Sequence, residues 1–316
     1  MKLTPQQSLL QWYAKNGRHD LPWRTTRDPY AIYVSEIMLQ QTQVKTVLER
    51  FYFPFLKKFP TLDDLAQSHV DDVLKMWEGL GYYTRARNLH AAAQQCDGSF
   101  PLNACELMEL PGIGRSTAHA VAAFAYGESL PILDANVKRI LHRYYAIPKR
   151  DEKELWKAAY ALFDDEHPYE YNQAMMDIGA TVCVSKNPRC NVCPFESTCQ
   201  GKESPHLYPE SKVKKEKPIR HRIIRVYEKN TMLALYQRSE RFLSGLWGFE
   251  QLEINEEIQG EFLGHITQHY SHFTLEADVY RHPCDAAGDL FEWFTPNEIE
   301  TLSLSRADHK VLKLIR

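Results

Sequence analysis

No stretch of the 316-residue sequence approaches the roughly 18 consecutive apolar residues that a membrane-spanning helix needs, so a transmembrane chain is not expected. Internal repeats and low-complexity tracts are missing, and Gly and Pro number only 14 and 17, which excludes collagen-like and Pro-Gly-rich disordered classes. The opening MKLTPQQSLLQWYAKNG has no leader-like apolar run and reads as an amphipathic helix start, so a soluble intracellular protein is expected. An excess of basic charge is also lacking. Lys and Arg total 38 against 41 Asp and Glu, a net charge of −3, which argues against a generic nucleic-acid glue. Cysteines are few and odd in number, seven, and without a leader a disulfide framework is not expected.

What is present suits two domains. A 44% hydrophobic fraction can bury a large core. Residues 1–200 read as successive helices, over 33–53 with Pro54 ending the run, then 88–95, 102–110, 115–126, 135–145, 152–163 and 171–183. Between the first two, Ser68 and Asp71 read as a capping box opening a helix that stops near Gly79. The stretch 201–218, with Gly201, Ser204, Pro205, Pro209 and Pro218, suits an extended linker. Beyond it, 220–227 and 231–237 read as a hairpin, 272–280 alternates as a strand, 291–295 is another, and 305–315 is a helix. The expected architecture is therefore an all-α unit followed by a small α+β domain. Basic residues concentrate in Lys212–Arg222, a solvated linker or a strap along a nucleic-acid backbone.

Four constellations carry chemistry. In Leu110-Pro-Gly-Ile-Gly-Arg-Ser-Thr-Ala118 two glycines make a tight turn between helices. The backbone N–H groups that follow can seat a phosphate, and the turn carbonyls can add a monovalent cation; an ordinary packing corner has the same pattern. Asp134 stands as the N-cap of the helix from Ala135, where backbone donors and the helix dipole should lower its pKa. Glu36 lies beside the apolar Val34, Ile37 and Met38; solvated it is a surface glutamate, but partly buried it becomes a general acid. Two carboxylates with pKa values pushed apart suit glycosidic cleavage. The run Cys183-x6-Cys190-x2-Cys193-x5-Cys199 can bind zinc or an iron–sulfur cubane, and its uneven spacing favours a [4Fe-4S] cluster.

Together these motifs resemble the helix-hairpin-helix, iron–sulfur DNA glycosylase superfamily. Within it, SEIMLQQTQV, GLGYYTRARN, ILDANVKR and the stretch from Asn172 to Ala180 are similar to the adenine DNA glycosylase (MutY) family over residues 5–200. The resemblance implies a helix-hairpin-helix lobe over about 25–130, an iron–sulfur lobe from about 1–24 plus 131–200, a linker over 201–220, and a Nudix-like domain over 221–316. It implies that Glu36 protonates adenine at N7 and Asp134 stabilises the cationic sugar beside Asn136. Lys138 matches a lysine that can trap the abasic product. Trp23, Arg24 and Gln173 match positions near the adenine pocket, while Gln41 and Tyr82 match residues that wedge into the stack as the base is flipped. The hairpin set is Gly112, Ile113, Gly114, Arg115, Ser116 and Thr117. Ser116 stands where the bifunctional relatives carry a lysine nucleophile, so excision without lyase chemistry is implied.

In the carboxy-terminal part, LSGLWGF and QHYSHF carry a weaker resemblance to the Nudix-like domain of the same family, without the acidic Nudix box. Tyr270, Ser271 and His272 match the turn that recognises 8-oxoguanine, with Tyr270 packing against or wedging beside that base. Departures are Ala135 where glycine is usual, Tyr270 where phenylalanine is more frequent, and a shortened segment after Gly248. The implied partner is duplex DNA carrying adenine opposite 8-oxoguanine or guanine, bound by a monomer in a bacterial-type cytoplasm with no membrane role.

Overall fold

The computed structural model describes residues 3–210, 216–240, 242–254, 260–282, 288 and 290–315. Among the described residues, twelve α-helices precede the strands: α1 (Pro5–Asn16), α2 (Pro29–Leu39), α3 (Val44–Arg50), α4 (Tyr52–Lys58), α5 (Leu62–Gln67), α6 (Val70–Met76), α7 (Thr84–Gln95), α8 (Ala104–Leu107), α9 (Arg115–Val121), α10 (Ala135–Tyr144), α11 (Glu152–Leu162) and α12 (Pro168–Thr181). Then come β1 (Ile219–Lys229), β2 (Met232–Gln237), β3 (Trp247–Gly248), β4 (Glu250–Leu252), β5 (Glu261–His269), β6 (Thr274–His282), β7 (Glu292–Phe294), α13 (Pro296–Thr301) and α14 (Arg306–Ile315). Among the described residues no helix is long and apolar enough to cross a membrane.

Two compact units form, and they cut across the boundary expected near residue 200. One gathers Met1–Tyr52, Phe59–Asp63 and Ala91–Val213; the other gathers Phe53–Lys58, Asp64–His90 and Lys214–Arg316. The sheet domain thus includes a helical segment from the middle of the chain. That segment is tied in by Lys75 donating to the Leu302 carbonyl (2.9 Å), Arg87 to Ser244 (2.5 Å) and Arg306 to Gly79 (3.2 Å).

In the first unit α12 packs against α1 and α10. Leu9, Leu141, Ala174, Met175, Ile178 and Phe195 meet in its core. The helix expected over 33–53 is broken. Gln41 adopts φ 56°, a left-handed turn that ends α2 and reorients the chain before α3, and Pro54 sits inside the first turn of α4, where it costs no hydrogen bond. The capping box expected at Ser68 is also displaced. His69 is the N-cap, its ring accepting from the Asp71 N–H, while the Ser68 hydroxyl donates to the Leu65 carbonyl. The start of the expected linker is not extended: Gly201 N–H donates to the Arg143 carbonyl (2.8 Å) and Glu210 N–H to Pro148 (3.1 Å). Of the basic run, Lys212 to Lys215 lie outside the described residues.

The second unit holds a seven-stranded sheet of order β3-β2-β1-β6-β5, with β4 on β1 and β7 on β2. The β1–β6 pair is parallel and the rest are antiparallel. The alternation read in β6 is realised, with Phe273, Leu275, Ala277 and Val279 all buried. A buried ion pair sits beneath the sheet. Arg238 grips both oxygens of Asp308 (2.9 and 3.0 Å), which also accepts from Ser305 Oγ (2.5 Å) and Phe249 N–H (3.2 Å). A Cβ at Gly248 would lie on the Arg238 guanidinium, which explains the second glycine of LSGLWGF.

Candidate active site

The residues of α2, the hairpin, α10 and α12 converge on a cavity of about 200 Å³ in the first unit. Its walls include Trp23, Arg24, Glu36, Ser116, Asp134 and Gln173. Glu36 lines this cavity and is half-buried; desolvation there, with Asp134 adding and Arg24 opposing, pushes its carboxyl up to about 7. Of the two readings of Glu36, the structure therefore favours the partly buried acid over the solvated surface glutamate.

Asp134 caps α10 as expected, Oδ1 accepting from Val137 N–H (2.7 Å) and Oδ2 from Asn136 Nδ2 (3.2 Å). Its expected pKa direction is corrected. Desolvation outweighs the Val137 and Asn136 donors and Arg139, so the carboxyl is held above the usual range. Asn136 is itself fixed. Its Oδ1 accepts from Arg139 (2.9 Å), which also reaches the carbonyls of Gly179 (2.6 Å) and Cys183 (2.7 Å). Lys138 points to Glu152 at 3.1 Å.

Trp23 is 6% exposed and stacks edge-on against Tyr52 (5.2 Å), so it is both core and cavity wall. Arg24 is clamped by Asp177, Nη1 and Nη2 each at 2.8 Å. Two buried polar atoms at this cavity have no partner, Arg24 Nε and Gln173 Oε1. Ser116 Oγ accepts from Leu133 N–H (3.1 Å), steadying the residue before Asp134, and Thr117 takes a bond from Gln40 (3.4 Å).

The hairpin turns at Gly112 (φ 77°), with Ile113 N–H on the Leu110 carbonyl and extended Gly114 as the N-cap of α9. Arg115 lies 4.0 Å over the Trp156 ring and donates to Tyr160 (3.1 Å), held by aromatic groups. Gln41 and Tyr82 share an unusual feature: both have positive φ, 56° and 53°, and both are exposed. Tyr82, 45% exposed, is not a core residue.

Cys183, Cys190, Cys193 and Cys199 line one small cavity together with Arg143, Arg189 and Lys202. Among the described residues no three His, Cys, Asp or Glu side chains converge on a single metal ion. Arg143 is 5% exposed, yet its partners are carbonyls of residues 183–185 and 205 and the Cys183 sulfur (3.4 Å). Burial raises the thiols of Cys190 and Cys199, and that of Cys193 up to about 12.

In the second unit a cavity of about 680 Å³ is lined by the 79–84 turn, Arg87, Phe242, Leu243, residues 268–272, Ser305 and Arg306. The Tyr270 ring is set edge-on to Phe242 (5.0 Å) and beside Phe273 (5.0 Å). Tyr270 is thus a wall of this cavity. Ser271 and His272 are exposed, with Ser271 Oγ 2.9 Å from His272 Nδ1. Sequence reasoning missed Arg139, Arg143 and Asp177. The helical spacing Asn136–Arg139 in ILDANVKR was an available signal for the first; long-range buried ion pairs leave none.

Residues 34–163 match the family described as HhH-GPD superfamily base excision DNA repair protein. The chain is 46% identical over 225 residues to the adenine DNA glycosylase of Buchnera aphidicola subsp. Baizongia pistaciae, covering 65% of this chain and 64% of that one. It is 42% identical over 214 residues to the adenine DNA glycosylase of Homo sapiens, covering 62% and 39%. The chain therefore spans less than two thirds of the length of these relatives. A solved thermostable thymine-DNA glycosylase superposes with a TM-score of 0.58 at 29% identity, over 63% of this chain and 94% of that chain. An endonuclease III in a non-covalent DNA complex superposes at 0.55 and 22% identity, over 64% and 98%, sharing the fold. The likeness to the HhH-GPD superfamily of base excision DNA repair proteins thus covers residues 34–163 of this chain.

Proposed function

We propose that the protein removes adenine mispaired in duplex DNA by hydrolysing its N-glycosidic bond, leaving an abasic site. The observation that carries this reading is the pair of partnerless buried atoms, the Gln173 acceptor and the Arg24 donor, in one cavity with a protonatable Glu36. Adenine offers an amino donor at N6 beside an acceptor at N1, the complement of that pair. Guanine presents the opposite order, and an unmatched buried polar group costs about 1–3 kcal/mol.

In this mechanism Glu36, protonated near neutrality, gives its proton to N7 of the flipped base. The C1′–N9 electrons leave with adenine, and the sugar becomes cationic. Asp134 faces that charge as an anion, held by the Val137 N–H and by Asn136, whose own carbonyl Arg139 fixes. Water then adds at C1′ and loses a proton to Glu36. Ser116 supplies no amine, and its hydroxyl is committed to Leu133, so the reaction ends at hydrolysis without lyase chemistry.

We further infer that the four cysteines hold a [4Fe-4S] cluster. The support is Arg143, a buried cation on one cysteine sulfur, which a dianionic cluster would neutralise. When bound, the cluster would supply thiolate–iron bonds that tie the 183–199 loop together. The exposed Ser271 and His272 are proposed to meet the altered edge of 8-oxoguanine. The test is release of free adenine from an adenine:8-oxoguanine duplex, with an alkali-labile site left behind and no strand cleavage before alkali. Guanine, cytosine or thymine released in its place would overturn the reading.

A further inference from the structure

Asp177 lies on α12 one turn beyond Gln173, and its carboxylate is fully buried. It takes five donors: Arg18 N–H (2.9 Å), Nε (2.8 Å) and Nη2 (2.6 Å), and the two Arg24 nitrogens at 2.8 Å. Both arginines line the Glu36 cavity, and Asp177 does not. We propose that Asp177 is a positioning residue for the chemistry at Glu36: by binding both guanidiniums from behind the cavity wall, it sets how much positive charge the Glu36 carboxyl meets. This rests on the adenine-removal reading.

Three charges make up the cluster, two positive and one negative. The groups that share the cavity with Glu36 are Arg18 and Arg24 from the segment after α1 and Asp134 at the start of α10. The hairpin helix α9 contributes neutral Ser116 and Thr117, and α12 contributes neutral Gln173. Arg24 already favours the Glu36 anion, against desolvation and Asp134. Neutralising Asp177 leaves two unopposed cations, so Glu36 gives up its proton at lower pH. Neutralising Arg18 instead leaves Arg24 and Asp177 matched, so Glu36 keeps its proton to higher pH. Because Glu36 acts protonated, its loss of a proton is the alkaline limb of the rate profile.

The experiment is single-turnover adenine release across pH with enzyme in saturating excess, which removes DNA affinity from the readout. Asp177→Asn is expected to move the alkaline limb down by about one pH unit, and Arg18→Gln to move it up by about half a unit. Asp177→Glu should return the limb toward the wild-type position. Limbs that stay put, or that move in the same direction in both variants, overturn the proposal. So does a rate lowered equally at every pH, which is the signature of lost packing alone. If Asp177→Asn shows no cooperative melting, the upward shift in Arg18→Gln decides alone. A wild-type enzyme that releases no adenine sinks the parent reading; an active wild type with unmoved limbs sinks this inference only.

Discussion

Gly179→Ala tests the path by which Asp134 is held. A Cβ at residue 179 would sit 2.5 Å from the Asn136 Cβ and 3.3 Å from its Cα, inside contact distance of a helix residue that cannot retreat. Asn136 must move, and with it both the 3.2 Å bond to Asp134 and the 2.9 Å bond from Arg139. A hydrogen bond to a charged group is worth about 1.5–3 kcal/mol. If that is lost where Asp134 faces the cationic sugar, the chemical step should slow by about 10- to 100-fold. Overpacking also costs about 1–3 kcal/mol of stability. Single-turnover release at saturating enzyme, with melting measured in parallel, separates the two effects, because the hairpin proposed to bind the duplex, Gly112–Thr117, does not include Asn136. A variant that melts lower yet releases adenine at the wild-type rate would refute the claim that Asn136 positions Asp134.

Glu36→Gln should bind duplex and release almost no adenine, and its stability should differ with pH in a defined way. The folded carboxyl titrates near 7 and the unfolded one near 4.5, so the native state loses stability as pH rises through that window. The variant should melt higher than wild type at pH 8, by up to about 3 kcal/mol, and equally at pH 4; equal melting at pH 8 would mean Glu36 is not buried as described. Alanine at both Ser271 and His272 should slow removal opposite 8-oxoguanine about tenfold more than opposite guanine, and equal slowing in a two-duplex comparison would end their assignment. Freshly isolated protein should be brown, with about four irons and four acid-labile sulfides per chain; stoichiometric zinc without iron would overturn the cluster.

Much of the site was legible because its signals are local. The hairpin glycines, the N-cap at Asp134 and the clustered cysteines each act within a few residues, so spacing exposes them. What eluded the sequence depends on distance. The Asp134 pKa direction was set by desolvation from several elements, not by the cap that spacing reveals. Asp177 is joined to Arg18 across 159 residues of chain. The break in the first long helix came from a left-handed Gln41, a residue type that carries no turn signature. Strands β3 and β4 are two and three residues long, too short for alternation to register. The role of Gly248 became visible only beside Arg238, a contact that no periodicity encodes.

The helical segment that joins the sheet domain has a consequence for how the chain is made. Ser303 Oγ donates to the Asp71 carbonyl, His309 bonds to Glu78 and Arg306 to Gly79, contacts spanning 232, 231 and 227 residues. On a ribosome adding about 5–20 residues per second, the 64–90 segment waits some 10–45 seconds before those partners emerge. During that interval the Asp71 and Gly79 carbonyls and the Glu78 carboxylate lack these partners, and Leu74, fully buried in the finished protein, lacks its neighbour Gly245. The nascent chain is therefore expected to be most open to holdase capture and to proteolysis at this segment, and slowing elongation between residues 90 and 300 should lengthen that exposure in proportion.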